Sequence, residues 1–208
     1  MTRFSELLRV VRQEHDRAVD AFFERHGDDL KDLADACARA FRTGGKLLLF
    51  GNGGSASDAQ HLAAEFVNRF DRDRAALPAI ALTTDGSVLT SIGNDSSFSE
   101  LFARQIEALG RPGDIALGIS TSGRSPNVVR ALGVARRAGL LTAALLGGEG
   151  GAAAREADYP LIVPGDDTAR IQEVHLLAGH ILCRRVEDLL EAGVVEETRG
   201  SRLSSAGC

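Results

Sequence analysis

The stretch "LLLFGNGGSASDAQH", residues 47–61, decides the fold. Four apolar residues lead directly into a short segment that contains Gly51, Gly53 and Gly54 and the serines 55 and 57, and a helical pattern follows. Glycines let backbone N–H groups approach a ligand closely, and the N-terminus of a helix attracts anions. The stretch therefore predicts a buried strand, a loop suited to an anion and a helix, and it raises the question of which phosphate, if any, is bound.

The order of strand and helix recurs along the chain. Short apolar runs lie at residues 46–50, 78–82, 114–119, 140–146 and 159–163, and most are followed by a helical stretch. Continuous apolar strands that alternate with helices indicate a parallel sheet covered on both faces. We expect one α/β domain over residues 1–192, with a doubly wound five-stranded parallel sheet. An N-terminal helical pair (3–25 and 29–43) and a closing helix (168–192) complete it, before a mobile polar tail (193–208).

Composition narrows the class of protein. The 208 residues suffice for one sizeable core, and 44% hydrophobic and 25% charged residues are ordinary for a globular protein. The net charge is −5 and no basic run occurs, which argues against nucleic acid as the main ligand. No apolar run approaches the ~20 residues of a membrane span. The densely charged N-terminus does not resemble a signal peptide, so we expect a cytoplasmic protein without a membrane partner.

The three cysteines do not predict a disulfide framework or a metal site. Cys37, Cys183 and Cys208 are scattered without close spacing. Cys37 and Cys183 lie in helical patterns, where we expect small buried hydrophobic side chains.

A second polar loop, "STSGRSPN" at residues 120–127, follows the strand predicted at 114–119. Its hydroxyl groups belong to Ser120, Thr121, Ser122 and Ser125. Either loop alone is explained by turn residues and helix caps. Together they lie at the carboxyl ends of strands, where open α/β sheets bind ligands, and this favours a phosphorylated polyol. Neither loop matches G-x-G-x-x-G or the Walker pattern, so a small sugar phosphate is a better candidate than a nucleotide.

Polar residues on two predicted helices supply the chemistry. His61 and Glu65 are four residues apart and share one face of the helix after the first loop. Gln172, His175 and His180 interrupt the apolar pattern of the closing helix, so each is either satisfied structurally or functional. Such His, Glu and Gln side chains can bind zinc, and Glu and His can also act as general base and acid. No G-x-S-x-G motif is present, which disfavours nucleophilic hydrolysis.

Four segments resemble a known family: "GNGGSASDAQHLAAEFVNRF", "LPAIALTTDGSVLTSIGND", "GDIALGISTSGRSPNVVRAL" and "TARIQEVHLLAGHIL". They resemble the sugar isomerase (SIS) fold, and specifically the bacterial phosphoheptose isomerases, over most of residues 28–192. The resemblance implies a homotetramer that interconverts sedoheptulose 7-phosphate and D-glycero-D-manno-heptose 7-phosphate. The product would supply nucleotide-activated heptose for surface polysaccharide such as lipopolysaccharide.

The resemblance also implies roles for individual residues. The implied substrate contacts are Asn52, Gly53, Gly54, Ser55, Glu65, Asn94, Asp95, Ser120, Thr121, Ser122, Ser125 and Gln172. The implied zinc ligands are His61, Glu65, Gln172 and His180, with one ion per subunit, and a Gln ligand suggests modest affinity. Glu65 and His180 are the implied acid–base pair for transfer of a proton through an ene-diol. Which of the two acts as base in which step remains open.

Two alternatives to this function remain open at the level of sequence. A related SIS branch binds the replication initiator protein and is not catalytic, but that branch does not keep both Glu65 and His180. The other alternative is isomerisation of a pentose or hexose phosphate.

The spacing of Gln172 and His180 predicts an oligomer. Eight residues correspond to a rise of ~12 Å along one helix, which is far for two ligands of one ion. We therefore expect an obligate oligomer, a tetramer, in which active sites are shared between chains and Glu65 pairs with His180 of a neighbour.

Overall fold

A computed structural model describes the backbone of residues 2–204 and the side chains of residues 2–192. Its centre is a five-stranded parallel sheet with the order β2-β1-β3-β4-β5. The strands are β1 (Leu47–Gly51), β2 (Ala79–Ala81), β3 (Ile115–Ser120), β4 (Leu141–Gly147) and β5 (Tyr159–Val163). Each lies within one residue of its predicted bounds, and the predicted doubly wound α/β sheet is confirmed.

Helices cover both faces of the sheet. They are α1 (Arg3–Arg42), α2 (Gly54–Val67), α3 (Gly86–Asp95), α4 (Ala103–Leu109), α5 (Pro126–Arg137) and α6 (Thr168–Ser204). Side chains of β1 alternate between two cores: Leu47 and Leu49 pack with α1, α2 and α6, whereas Leu48 and Phe50 pack with α4 and α5. This alternation follows from the two-residue period of a strand and explains why the strand is apolar throughout.

The N-terminal region corrects one prediction. The predicted helical pair is a single helix, α1, of 40 residues that passes through Gly27 without a break. Phe22, His26, Leu30 and Leu33 are all buried, so one apolar stripe continues across the predicted gap. A glycine inside a helix costs only about 1 kcal/mol, which the packing of this stripe offsets.

The closing helix extends beyond its predicted end at 192, because the backbone of α6 is helical to Ser204. Whether residues 193–208 are mobile stays a prediction, since the side chains of 193–204 and all of 205–208, including Cys208, lie outside the described residues. Cys37 and Cys183 are buried, as predicted. Among the described residues, no helix combines the length and the apolar character that crossing a bilayer requires.

The strand order places a crevice at one edge of the sheet. Because β1 is hydrogen-bonded to β2 on one side and to β3 on the other, the chain leaves β1 and β3 in opposite directions. Ligands of open α/β sheets bind at this switch point, beyond the carboxyl ends of the strands. Both polar loops identified in the sequence begin there.

Candidate active site

A pair of amide side chains joins the two polar loops into one site. The Asn52 side chain donates from Nδ2 to Asn127 Oδ1 at 2.9 Å, and Asn127 donates from Nδ2 to Asn52 Oδ1 at 2.8 Å. Asn127 is only 1% exposed, and its Oδ1 also accepts a hydrogen bond from the backbone of Val128. Asn127 was missed in the sequence, because an Asn at the start of a helix is more simply read as a cap. The pair fixes the first loop against the N-terminus of α5.

The first loop borders a cavity of about 490 Å³ at the end of β1. Asn52 and Gly53 line it, and Gly53 precedes α2 without a side-chain cap on the first turn of that helix. Ser55 is buried at the start of α2. Gly93 of α3 also lines the cavity, but Asn94 and Asp95, which follow it, do not. The Asn94 side chain donates from Nδ2 to Asp95 Oδ1 at 2.7 Å.

The second loop borders a cavity of about 450 Å³ at the ends of β3, β4 and β5. Thr121, Ser122 and Arg124 line it, while the hydroxyl oxygens of Ser120 and Ser125 lie 3.2 Å apart. Arg124 was not among the predicted site residues, and its signal in the sequence is a positive charge inside a hydroxyl-rich loop. Neutral donors and one guanidinium suit a phosphate. The carboxylates of Glu149 and Asp166 line the same cavity, so we expect a dianion to bind on the side of the hydroxyl groups.

One glycine gives the second loop its shape. Gly123 has φ +61°, and a Cβ atom there would overlap the carbonyl oxygen of Gly150. The loop can therefore pack against the segment after β4 only with glycine at this position.

A close approach between α2 and α6 brings the catalytic candidates together. The two helices touch at two levels: the Gln172 amide lies against Gly54, and a Cβ atom on Gly179 would lie 2.6 Å from Leu62 Cδ2. The absence of a side chain at Gly179 therefore allows the contact that places His61 beside His180. Their Nε2 atoms are 2.9 Å apart and their ring centroids are 5.1 Å apart.

Glu65 and Phe70 complete the surroundings of this histidine pair. Glu65 Oε1 lies 3.6 Å from His61 Nε2, and the Phe70 ring lies 5.3 Å from the His180 ring. Partial burial, and then the charge of His61, lower the pKa of His180, whereas Glu65 acts to raise it. A carboxylate and two imidazoles in contact can accept and donate protons on a bound substrate.

The side chains of His61, Glu65 and His180 are of the types that bind zinc. Two ligands of a tetrahedral zinc ion with bonds of 2.0–2.1 Å lie about 3.4 Å apart. The distances from His61 Nε2 to His180 Nε2, 2.9 Å, and to Glu65 Oε1, 3.6 Å, lie on either side of that value. In residues 2–192, however, no three His, Cys, Asp or Glu side chains surround a common point closely enough to hold an ion. The contacts are pairwise through His61, so the zinc site stays a prediction.

The structure separates Gln172 from the histidine pair. Its amide lies against Gly54 at the start of α2, whereas His180 contacts His61 about two turns further along. This arrangement favours a contact of Gln172 with substrate over zinc ligation, and both roles stay predictions.

Within one chain His61 contacts both His180 and Glu65, so these three residues can meet without a neighbour, and the sharing of active sites between chains stays a prediction. His61 and Glu65 come from α2, which lies alongside α6, and the spacing of residues along α6 alone does not reveal this neighbour.

His175 has a structural role. It is fully buried and donates from Nε2 to the carbonyl oxygen of Leu146 at 2.9 Å. Burial lowers its pKa to about 4, so the ring is neutral at pH 7. Of the two roles left open for this residue, the structure favours the structural one, in which Nε2 is hydrogen-bonded while the buried Nδ1 has no partner among the described residues.

Comparisons with known proteins identify the family of the chain. The family model of the SIS domain matches residues 12–147. A phosphoheptose isomerase of Paramagnetospirillum magneticum is 60% identical over 185 residues, which cover 89% of this chain and 96% of that protein. One from Thermodesulfovibrio yellowstonii is 51% identical and covers 88% and 91%. The structure of phosphoheptose isomerase GmhA from Neisseria gonorrhoeae superposes with a TM-score of 0.84 at 40% identity and covers 89% of this chain and 99% of that one.

Proposed function

Because the chain belongs to the phosphoheptose isomerases of the SIS domain family, we propose that it interconverts sedoheptulose 7-phosphate and D-glycero-D-manno-heptose 7-phosphate. It is a sugar-phosphate isomerase of heptose biosynthesis. We propose its specific substrate and its mechanism. The observation that carries it is the contact of Glu65, His61 and His180 on two helices that begin beside the two polar loops.

The two loops divide the binding of the substrate. The phosphate binds to Thr121, Ser122 and the Arg124 guanidinium, which line the second cavity. The hydroxyl groups of Ser120 and Ser125, which lie 3.2 Å apart in the same loop, complete this set of donors. Asn52, Gly53 and the start of α2 bind sugar hydroxyl groups in the neighbouring cavity, and Gln172 lies against that start.

Isomerisation moves one proton between C1 and C2 and exchanges a second proton between the two oxygens. Glu65 removes the carbon proton to form the ene-diol and returns it to the neighbouring carbon. His180 moves the proton of the oxygen, and His61 holds the His180 ring by the contact of their Nε2 atoms. The step needs neither a nucleotide nor a nicotinamide, in keeping with loops that lack nucleotide motifs.

We propose that His61, Glu65 and His180 would hold a zinc ion, with Gln172 as the remaining candidate, because residues of these types bind zinc. A bound zinc ion acts as a Lewis acid that stabilises negative charge on a sugar oxygen. Glu65 cannot be a tight ligand and a strong base at once. We therefore propose modest affinity, with one ion per subunit.

We also propose a homotetramer. The first turns of α1 expose Phe4, Leu7 and Leu8 by 66%, 54% and 55%, which is apolar area suited to contact with other copies of the chain. Light scattering on the purified protein should give four times the mass of one chain.

The function is tested with Glu65→Gln and His180→Gln. Each variant should reduce turnover of sedoheptulose 7-phosphate by ~10²-fold or more, because a general acid or base contributes that much. Glu107→Gln is the matched control, since Glu107 pairs with Arg104 on α4, on the other face of the sheet. Parallel assays with pentulose and hexulose phosphates decide the chain length of the substrate. Near-normal turnover by Glu65→Gln would refute the assignment of the base.

A further inference from the structure

We propose that Arg74 and Glu187 are positioning residues that hold Glu65 and His180 in their working geometry. The inference rests on the roles of Glu65 and His180 proposed above. It depends on a chain of hydrogen bonds that leaves α6, crosses the loop after α2 and returns to the backbone of Glu65.

The first part of this series of hydrogen bonds is the carboxylate of Glu187 on α6. Glu187 is only 4% exposed. Its Oε1 accepts from the backbone N–H of Phe70 at 3.0 Å, and its Oε2 accepts from those of Asp71 at 3.1 Å and Arg72 at 3.3 Å. Burial alone would raise the pKa of Glu187, but the backbone donors and Arg74 bring it below its ordinary value. The group is therefore an anion at neutral pH and binds the loop firmly.

The second part is Arg74, which joins Glu187 to the end of α2. Its Nε donates to Glu187 Oε1 at 2.9 Å. Its Nη2 donates to the carbonyl oxygen of Glu65 at 2.7 Å, and its Nη1 donates to that of Phe66 at 2.8 Å. The last carbonyl groups of a helix have no partners within the helix, and a cation there also interacts well with the helix dipole. Arg74 thus fixes the turn from which the Glu65 side chain projects.

A second connection reaches the histidine side of the site. The backbone of Phe70 is bound to Glu187, and the Phe70 ring lies against the His180 ring with an interplanar angle of 35°. His180 and Glu187 lie on one helix about two turns apart and within about 20° of the same face. The Glu187 carboxylate therefore controls both members of the proposed pair, Glu65 through Arg74 and His180 through Phe70.

A second buried carboxylate elsewhere in the protein, Asp114, is closely matched to Glu187 and serves as a control. Asp114, just before β3, is 3% exposed and accepts from the backbone of Lys46 at 2.9 Å and of Arg111 at 2.8 Å. Its Oδ2 also pairs with Lys46 Nζ at 2.6 Å. This group is a buried carboxylate with backbone donors and one cation, as at Glu187, but it lies at the amino ends of the strands, opposite the active site.

The experiment compares Glu187→Gln with Asp114→Asn in the isomerase assay and in thermal unfolding. Both variants should lower Tm. Only Glu187→Gln should lower kcat, by about 10-fold to 10²-fold, with KM within about twofold of the wild type, because a displacement of ~1 Å at reacting groups has effects of this size. If Glu187→Gln does not fold, Arg74→Lys replaces it, since an ammonium group keeps the charge but cannot join both α2 carbonyl groups to Glu187. Equal kcat losses in both variants, or unchanged kcat in Glu187→Gln, would overturn the proposal.

A double variant separates positioning from general damage. If Arg74 acts through Glu65, Arg74→Lys should lower kcat in the wild-type enzyme and have little further effect in Glu65→Gln. If Arg74→Lys lowered kcat by the same factor in the wild-type enzyme and in Glu65→Gln, the connection between Arg74 and Glu65 would be refuted. If Glu65→Gln itself retains normal turnover, the proposed function fails. If it is inactive while Glu187→Gln and Arg74→Lys are unimpaired, only the positioning role fails.

Discussion

Substitution of Gly179 by Ala tests the contact that assembles the site. The new methyl group would lie 2.6 Å from Leu62 Cδ2, whereas carbon atoms pack at about 3.5–4.0 Å. Leu62 is 1% exposed and cannot swing its methyl groups into solvent. We therefore expect α2 and α6 to separate by about 1 Å at the level of His61 and His180.

Two opposing effects on the free energy of unfolding follow. Overpacking of a core costs about 1–3 kcal/mol, and replacement of a helical glycine by alanine returns about 1 kcal/mol. The net loss of about 0–2 kcal/mol corresponds to a fall in Tm of at most about 8 °C. The effect on kcat should be far larger, about 10²-fold, because the separation displaces reacting groups by ~1 Å.

The assay measures kcat, KM and Tm for Gly179→Ala and for Gly27→Ala as control. Gly27 lies in α1 with open space around its Cα, so its substitution should raise Tm by about 2–4 °C and leave kcat unchanged. Leu62→Val removes the atoms that clash and should restore part of the activity of Gly179→Ala. Wild-type kcat in Gly179→Ala, with a Tm increase like that of Gly27→Ala, would show that the helix contact does not determine the geometry of the site.

The remaining predictions concern a buried histidine and the metal. Because the folded state lowers the pKa of His175 to about 4, its contribution to stability is complete above pH ~6.5 and is lost as the pH falls towards 4. Urea unfolding at pH 7.5 and 5 should therefore show a smaller loss for His175→Gln than for the wild type, and equal losses would contradict this reasoning. Zinc should co-purify below one equivalent, and its addition should raise activity. His61→Ala should bind less zinc by metal analysis, and full activity after chelation would exclude a role for zinc.

The strands were predictable because a parallel strand covered on both faces is apolar at every position, as in "LLLF" of β1. The two polar loops were predictable because their residues follow those strands directly. The continuity of α1 was not, because Gly27 resembles a helix end in sequence, and only the packing of Phe22 and Leu30 on the rest of the chain shows that the helix continues.

The assembly of the candidate site was only partly predictable. The sequence identified His61, Glu65 and His180 as polar residues on helices, but their contact depends on the distance between α2 and α6, which Gly179 controls. Arg74 and Glu187 gave no sequence signal, since an Arg in a charged loop and a Glu near the end of a helix are ordinarily exposed. The burial of Glu187 and the partial burial of Arg74 are properties of the tertiary structure alone.

Helix α6 carries Gln172, His175, His180 and Glu187 in succession, each bound to a different part of the fold. Insertion or deletion of a single residue between the first and the last would turn everything beyond it by 100° and shift it by 1.5 Å. Exposed positions of the same helix, such as Ile181, can change identity without that consequence. The segment from 172 to 187 should therefore accept substitutions at its surface but no change in length.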